Sequence, residues 1–312
     1  MAAIDEDDLG DLRPRLVAFC YRMLGSPFEA EDAAQDALER VWRARDSFDP
    51  ALAGLTVWAY GIARNVCVDR LRRVPRRPLP RDLREPGLEA GAPLVPALDV
   101  PWLQPAPAGW LGDSAPEAAA ERSEEVRFAV TAMLQSLSPA QRGAFVLRDV
   151  MGLSANEAAT ALSVSVASAN SALQRARAAI REGTRRSRPL AVDAVERYAR
   201  AIESADVAAL AALVSDDLVF EMPPVPQWSV GREPYVAFMS HLFDWRGRDW
   251  TTVRTRADGQ HALLLYRLTP GGAEPHTVQV FDGATEGGIG HVLVYQDPRL
   301  FRLFEEVAVG RR

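Results

Sequence analysis

The spacing of apolar and polar positions divides the chain into a helical part and a part that contains strands. Apolar residues recur with the helical period over residues 12–24, 27–45, 55–73, 123–137, 138–149, 154–162 and 166–182. A helical pair follows at 192–217 and a further helix after residue 231. Alternating runs predict strands at residues 218–222, 251–257, 261–268, 276–282 and 290–297, with PPVPQW at 223–228 as a turn. This order predicts two all-α domains followed by an α+β domain with a curved antiparallel sheet.

A segment rich in Pro, Gly and Leu, residues 75–116, separates the two groups of helices. It contains VPWLQPAPAGWL, whereas a flexible spacer would consist of Gly, Ser and charged residues. Because large exposed apolar groups are costly without a partner surface, we predict that Trp102, Leu103 and Trp110 dock onto another surface. The alternative is a poorly ordered loop that carries these residues incidentally.

Residues 152–181 have the spacing of a helix-turn-helix. SANE at 154–157 is a capping box that begins a short helix, and a three-residue turn leads to a longer one. The predicted buried stripe of the second helix is Val166, Ala169, Leu173, Ala176 and Ile180. On or near its other face, Asn170 and Gln174 can bond adenine, while Arg175 and Arg177 can pair with phosphate or guanine. An ordinary helical hairpin with a solvated face is the alternative.

The helix predicted over 55–73 combines cations with aromatic side chains. Gly61, Arg64, Asn65 and Arg72 share one narrow face, preceded by Trp58 and Tyr60 and followed by Arg73. Guanidinium groups bind phosphate and rings stack on bases, so this combination fits single-stranded nucleic acid. The alternative is a core helix whose arginines are solvated or neutralise the helix dipole.

The helix predicted over 27–45 carries an acidic face. Asp32, Gln35, Asp36 and Glu39 recur at helical spacing opposite the apolar Ala34, Leu38 and Val41. Carboxylates repel DNA, so this face indicates a basic protein partner. A solvated helix face is the simpler alternative.

Net charge, cysteine spacing and the length of apolar runs exclude several classes of protein. The 312 residues have a formal net charge of −6, which argues against a general nucleic-acid coat but permits local basic patches. Cys20 and Cys67 have no metal-ligand spacing and fit a reducing compartment. The sequence contains no apolar run of transmembrane length and no secretory signal, so we expect a cytoplasmic protein without membrane contact or metal.

Residues 9–187 resemble an RNA polymerase sigma factor of the sigma-70 family, extracytoplasmic-function (ECF) group. AEDAAQDALERVWRA looks like region 2.2, LTVWAYGIARNVCVDRLRR looks like regions 2.3 and 2.4, and LSPAQRGAFVLRDVMGLSANEAATALSVSVASANSALQRARAAI looks like region 4. The resemblance implies binding to core RNA polymerase, through its β′ coiled coil and β flap, and to promoter DNA. It implies no cofactor and no catalytic residue.

The resemblance also implies three sets of contact residues. Contacts to the polymerase fall on Asp32, Gln35, Asp36, Glu39 and Trp42. Contacts to the −10 element fall on Trp58, Tyr60, Arg64, Asn65, Asp69, Arg72 and Arg73. Contacts to the −35 element fall on Ser165, Ser168, Asn170, Ser171, Gln174, Arg175 and Arg177.

The C-terminal part resembles a SnoaL-like domain, a cone of curved sheet and helices around a pocket. LAALVSDDLVFEMPPVPQWSVGREPYVAFM and DPRLFRLFEEV carry this likeness, and VPWLQPAPAGWL is similar to a Trp-Leu-Pro motif in the linkers of ECF factors with such an extension. We therefore expect region 2 at 1–74, the linker at 75–116, region 4 at 117–187 and a SnoaL-like regulatory domain at 190–312. In such factors the linker and the extension modulate activity.

Two other functions also fit these residues. The SnoaL-like fold also hosts isomerases and cyclases, and Glu221 with one of His241, His261, His276 and His291 could transfer a proton inside the cone. A small-molecule ligand could bind there without catalysis. A stand-alone helix-turn-helix regulator is the other alternative, and it would bind DNA without polymerase.

Overall fold

A computed structural model describes residues 4–111, 128–183, 188, 190–285 and 287–309. The chain forms two compact units. The first unit combines residues 1–77 with 103–185, and the second combines 78–102 with 186–312. The predicted linker is therefore divided between the units rather than standing apart from both.

The first three helices form the N-terminal part of the first unit. They are α1 (Glu6–Leu24), α2 (Pro27–Ala44) and α3 (Leu55–Leu71). Gly25 ends α1 with a φ of +74°, a conformation that glycine adopts without steric cost. The predicted third helix is two residues too long at its C-terminal end, consistent with the restriction that Pro75 places on the residues before it. The small side chains of α2 are buried between the three helices. Cys20 of α1 and Cys67 of α3 are buried with them.

Four further α-helices of the first unit lie within the described residues 128–183. They are α4 (Phe128–Leu134), α5 (Pro139–Phe145) continued by a π turn (Val146–Val150), α6 (Ala155–Leu162) and α7 (Val166–Gly183). Ser138 and Ser154 make the predicted capping boxes with Gln141 and Glu157. Residues 123–127 of the predicted helix lie outside the described residues.

The second unit is an α+β domain. Its elements are α8 (Val192–Glu203), α9 (Val207–Leu213), β1 (Val214–Met222), β2 (Val225–Val230), α10 (Arg232–Arg246), β3 (Trp250–Ala257), β4 (Gln260–Thr269), β5 (Gly272–Gly283), β6 (Ile289–Tyr295) and α11 (Pro298–Val309). The strand order is β2-β1-β6-β5-β4-β3.

Three details of the sheet differ from the sequence prediction. β1 begins at Val214, so residues 214–217 are strand rather than the end of the predicted helical pair. The sheet is mixed rather than antiparallel, because β1 pairs with β6 in parallel after a long crossover connection. The predicted turn PPVPQW forms a turn only at its start, and β2 begins at Val225. Pro226 fits this strand because β2 lies at the edge of the sheet, where a missing amide disturbs least.

The sheet buries apolar side chains on both faces. On the inner face, Phe220 and Phe281 pack with Tyr198 of α8 and Tyr235 of α10. On the outer face, Phe301 of α11 contacts the ring of Tyr266, with centroids 5.3 Å apart. Linker residues 78–102 run beside β2 in this unit, where the Trp228 carbonyl accepts the backbone amides of residues 87 and 88.

Candidate nucleic-acid and polymerase interfaces

Helix α7 separates a buried apolar stripe from an exposed polar face. Ala169, Leu173, Ala176 and Ile180 are buried as predicted, whereas Val166, the first residue of the helix, is 37% exposed. All seven predicted −35 residues are exposed, namely Ser165, Ser168, Asn170, Ser171, Gln174, Arg175 and Arg177. A helix with this division presents amide and guanidinium groups over several turns, as groove reading requires.

Local bonds give Arg175 and Arg177 of α7 different surroundings. Arg177 makes a two-point ion pair with Asp149 of the π turn, at 2.7 and 2.6 Å. Arg175 donates to Oγ of Ser171, one turn earlier, at 2.7 Å. The ion pair of Arg177 therefore links the π turn to α7. Arg175 and Ser171 form a polar pair on the exposed face of the helix.

The acidic face of α2 lies at the surface beside a shallow groove. Asp32, Gln35, Asp36, Glu39 and Trp42 are all exposed. The groove has a volume of about 320 Å³ and is lined by Glu6, Leu9, Gln35, Leu38, Glu39 and Trp42. Asp36 forms an ion pair of 2.6 Å with Arg70 of α3, which orients its carboxylate, and Arg45 lies 4.2 Å from the Trp42 ring centroid. The surface thus combines apolar area with carboxylates, which suits a basic helical partner.

Helix α3 exposes polar side chains mainly toward its C-terminal end. Asn65, Asp69, Arg72 and Arg73 are exposed, and Arg64 is half-buried. Arg72 pairs with Asp69 at 2.7 Å, and Arg64 donates to Oδ1 of Asn65 at 2.9 Å. This end of the helix offers guanidinium groups to phosphate.

The two aromatic residues predicted for the −10 contact differ in accessibility. Trp58 is half-buried and its ring lies 5.2 Å from that of Phe48. Tyr60 is buried against Phe19, and its hydroxyl donates to Sδ of Met151 at 3.4 Å. Burial raises the pKa of Tyr60 to about 12. The structure therefore does not bring Tyr60 to the surface together with the arginines.

The three linker residues that we predict to dock, Trp102, Leu103 and Trp110, lie at different places. Trp102 is buried in the second unit, and its indole donates to the Ala97 carbonyl at 2.8 Å. Leu103 is buried in the first unit, where a Cβ at Gly25 would lie 2.7 Å from its Cδ1. Trp110 is half-buried against the apolar core of the first unit.

Gln104 makes contacts that the sequence analysis missed. Its backbone amide donates to the Gly25 carbonyl at 3.0 Å, and its own carbonyl accepts the Tyr21 hydroxyl at 2.9 Å. Its side-chain Oε1 accepts the Ser26 hydroxyl at 2.9 Å. Only its position after the Trp-Leu pair could have indicated this role, because a lone glutamine in a Pro-rich segment has no distinctive pattern.

The carboxylate of Glu221 is buried on the outer face of the sheet. It alternates with Phe220 and Met222, which belong to the inner core, so its side chain points away from the cone interior. Nε2 of His291 lies 2.7 Å from its Oε2, and the Arg81 backbone amide donates to its Oε1 at 2.9 Å. Burial alone would raise the pKa of Glu221, but His291 and Arg81 outweigh it and lower that pKa.

The other histidines do not join Glu221 in an acid–base site. His276 lies beside the Trp250 ring, with centroids 4.9 Å apart, and burial lowers its pKa to about 4. His241 stacks near Trp245 on α10, and burial lowers the pKa of His261 on β4. Proton transfer by Glu221 inside the cone is therefore not supported by this geometry.

Neither a metal-binding cluster nor a membrane-spanning helix occurs among the described residues. The described residues contain no group of three or more His, Cys, Asp or Glu side chains arranged to hold a metal ion. Among the helices described, none combines the length and the apolar character needed to cross a membrane.

Known families match three parts of the chain. Sigma-70 region 2 matches residues 10–77, Sigma-70 region 4 matches 127–180, and the SnoaL-like domain matches 195–286. The ECF RNA polymerase sigma factor SigG of Mycobacterium tuberculosis is 34% identical over 301 residues, which cover 94% of this chain and 81% of SigG. SigJ of the same organism is 32% identical over 171 residues, covering 54% of this chain and 47% of SigJ.

A solved structure has the same architecture. The crystal structure of SigJ from Mycobacterium tuberculosis aligns with a TM-score of 0.61 and 22% identity, covering 96% of this chain and 99% of that one. It supports the fold of two helical regions followed by an α+β domain. The near full-length match to SigG decides against an enzyme and against a stand-alone regulator. The chain belongs to the ECF sigma factors of RNA polymerase, non-enzymatic proteins that direct transcription initiation at promoters.

Proposed function

We propose that three exposed surfaces of this sigma factor divide the work of initiation. The acidic face of α2 binds the β′ coiled coil of core polymerase, the C-terminal end of α3 binds the −10 element, and α7 reads the −35 element while region 4 contacts the β flap. The observation that carries this proposal is the exposed polar face of α7, which lies opposite the buried residues Ala169, Leu173, Ala176 and Ile180. Such a helix can enter the major groove without losing its own core.

The α2 surface supports polymerase binding through charge and shape. Its carboxylates would repel DNA, and the groove beside Leu38 and Trp42 can accept apolar side chains of a helical partner. Asp36 is already oriented by Arg70. We propose that Asp32 and Glu39 supply the charge that selects a basic partner.

The α3 surface supports capture of an opened strand mainly through phosphate contacts. Arg72 and Arg73 are exposed at the end of the helix, and Asn65 lies two turns before them. Trp58 is the aromatic side chain that remains partly accessible for stacking. Base capture costs a few kcal/mol of unstacking, which these contacts offset.

We propose that the second unit modulates initiation by binding the linker. Leu88 of the linker is buried with the inner-face core, and Arg81 meets Glu221 on the outer face. A small-molecule ligand would have to enter among Tyr198, Phe220 and Phe281, which pack closely there. These contacts favour the linker, rather than a small molecule, as the segment that this domain binds. A small molecule would act by competing with the linker.

The polymerase assignment can be tested on the full-length chain. Asp32→Arg reverses a charge at an exposed site without removing the Asp36–Arg70 pair. We expect it to abolish co-purification with core polymerase and run-off transcription. Asp193→Arg makes the same charge change on α8 of the second unit and should leave both unchanged. Equal core binding by both variants would contradict the assignment.

We also propose a cytoplasmic site of action, where core polymerase works.

A further inference from the structure

Two exposed valines lie at the start of the helix that we assign to the −35 element. Val164 belongs to the turn between α6 and α7, and Val166 is the first residue of α7. The two residues are 42% and 37% exposed. Each Cα–Cβ bond of a helix leans toward the N-terminus, so the side chain of Val166 leans over the turn that contains Val164. Single exposed valines are common, but these two adjoin and form an apolar patch.

The patch belongs to an open groove at the turn of the helix-turn-helix. The groove has a volume of about 650 Å³, and both valines line it together with Ala159. The other lining residues are polar and come from α6 and the turn, namely Asn156, Thr160, Ser163 and Ser165. All of the described residues that line the groove are uncharged. The groove therefore offers apolar contact beside hydroxyl and amide groups.

The charged side chains near the groove are engaged elsewhere. Glu157 is next to Asn156 in sequence, but its carboxylate accepts the Ser154 amide at 2.7 Å, at the N-terminal end of α6. Arg175 lies more than two turns further along α7 and donates to Ser171. The groove thus has neither a carboxylate that would repel DNA nor a guanidinium that would bind phosphate. Its contact with a partner depends on the valines.

Thymine fits such a surface better than any other part of a DNA duplex. The N-terminal residues of a recognition helix contact base edges in the major groove, and thymine alone presents a methyl group there. A valine side chain cannot form a hydrogen bond with phosphate or with the polar edge of a base. The patch is also continuous with the proposed −35 face, because Oγ of Ser165 accepts the Ser168 amide at 3.2 Å between the turn and α7.

We propose that Val164 and Val166 contribute to −35 specificity by enclosing the C5-methyl group of a thymine. Asn170 and Gln174 contact polar base edges further along α7, and the valines add a preference for thymine at the end that meets the N-terminus of the helix. This inference deepens the proposed function of α7 and rests on it. The competing occupant of the groove is an apolar side chain of a protein partner.

Replacing thymine by uracil tests the methyl contact, because it removes one methyl group and keeps every hydrogen-bonding group of the base. A template library with a randomised −35 element, transcribed by core polymerase with the full-length chain, first gives the preferred sequence. Matched templates then carry deoxyuridine in place of one −35 thymine at a time, on either strand. We expect run-off transcription by the parent chain to fall about three- to fivefold at one or two adjacent positions, the effect of one buried methyl group.

Val164→Ala and Val166→Ala identify the side chains that contact the methyl group. Alanine favours helix more than valine does, so Val166→Ala does not weaken the start of α7. Each variant should initiate about three- to fivefold less than the parent chain from the thymine template, and about equally from thymine and uracil templates. Val192→Ala is the matched control, because Val192 is the first residue of α8 and is 59% exposed. It should keep the parent's ratio between the two templates.

The thymine-to-uracil ratio of each variant separates the outcomes. A parent chain that initiates equally from thymine and uracil at every −35 position would overturn the inference. Valine variants that keep the parent's ratio would also overturn it, and an equal loss from both templates would indicate that the groove binds a protein partner instead. If the parent chain shows no preference at any −35 position, the proposed role of α7 fails and the inference fails with it.

Discussion

The backbone amide of Arg81 donates to Oε1 of Glu221 across 2.9 Å, and this bond fastens a linker residue to the sheet of the second unit. The Arg81 guanidinium is 3.7 Å from the same carboxylate, which is fully buried. Oε2 of Glu221 lies 2.7 Å from Nε2 of His291. A buried carboxylate with these partners forms strong charge-assisted hydrogen bonds, so Glu221 is the residue that anchors the start of the linker.

Loss of that charge should release the linker. Glu221→Gln keeps the size of the side chain but weakens the bonds to Arg81, by about 1–3 kcal/mol. We expect trypsin to cleave after Arg81 and Arg84 roughly 5- to 150-fold faster, in proportion to the open fraction. Glu89→Gln, an exposed change in the same linker segment, should leave the rate at that of the parent chain. Equal cleavage of both variants would exclude the anchoring role.

Acid should weaken the second unit through the same carboxylate. The pKa of Glu221 is lowered in the folded protein because His291 and Arg81 outweigh the effect of burial. A depressed carboxyl pKa stabilises the fold above the unfolded pKa of about 4.3, and this stability is lost as pH falls through the folded value. Thermal unfolding followed from pH 7 to pH 3 should show a steeper loss below about pH 4.3 for the parent chain than for Glu221→Gln. Parallel curves would contradict this linkage.

Removal of the buried guanidinium of Arg142 should destabilise the first unit. Arg142→Met keeps most of the side-chain volume but leaves the carbonyls of Met23, Gln135 and Leu137 short of a donor. We expect a loss of about 2–4 kcal/mol in urea unfolding of this unit. Arg181→Met, at an exposed position of α7, serves as the control and should change stability by less than about 0.5 kcal/mol. If the free energy of unfolding of the first unit is the same in both variants, the hydrogen bonds of Arg142 do not stabilise this unit.

Gln174 should discriminate bases at the −35 element. Its amide lies on the exposed face of α7, where a two-point bond to adenine contributes about 1–3 kcal/mol of discrimination. Gln174→Ala should therefore flatten the preference at one −35 position by about 5–150-fold and leave other positions unchanged. Run-off transcription from a set of single-substitution templates measures this. Glu182→Ala near the end of α7 is the control, and an unaltered template preference in Gln174→Ala would rule out base reading by this residue.

Several features were predictable from sequence because they depend on neighbours along the chain. The capping boxes at Ser138 and Ser154 and the apolar stripe of α7 follow from local hydrogen bonds and helical period. The exposed acidic face of α2 follows from the same period. The ECF family follows from the order of motif blocks, which fold the same way wherever they occur.

Other features depended on residues distant in sequence. Tyr60 is buried because Met151 and Phe19 cover it, and Arg177 is paired because the π turn brings Asp149 to it. No local pattern specifies such partners. The strand in PPVPQW likewise forms because β1 provides a neighbour at the sheet edge.

By itself the sequence determined the helices, their caps, the family and the three candidate contact faces, since periodicity and side-chain chemistry are properties of short segments. Only the tertiary structure decided that Glu221 faces outward to the linker, that Gln104 binds at Gly25, and that α3 lies against α6. These three contacts join residues more than seventy positions apart, and packing and desolvation over the whole unit select them.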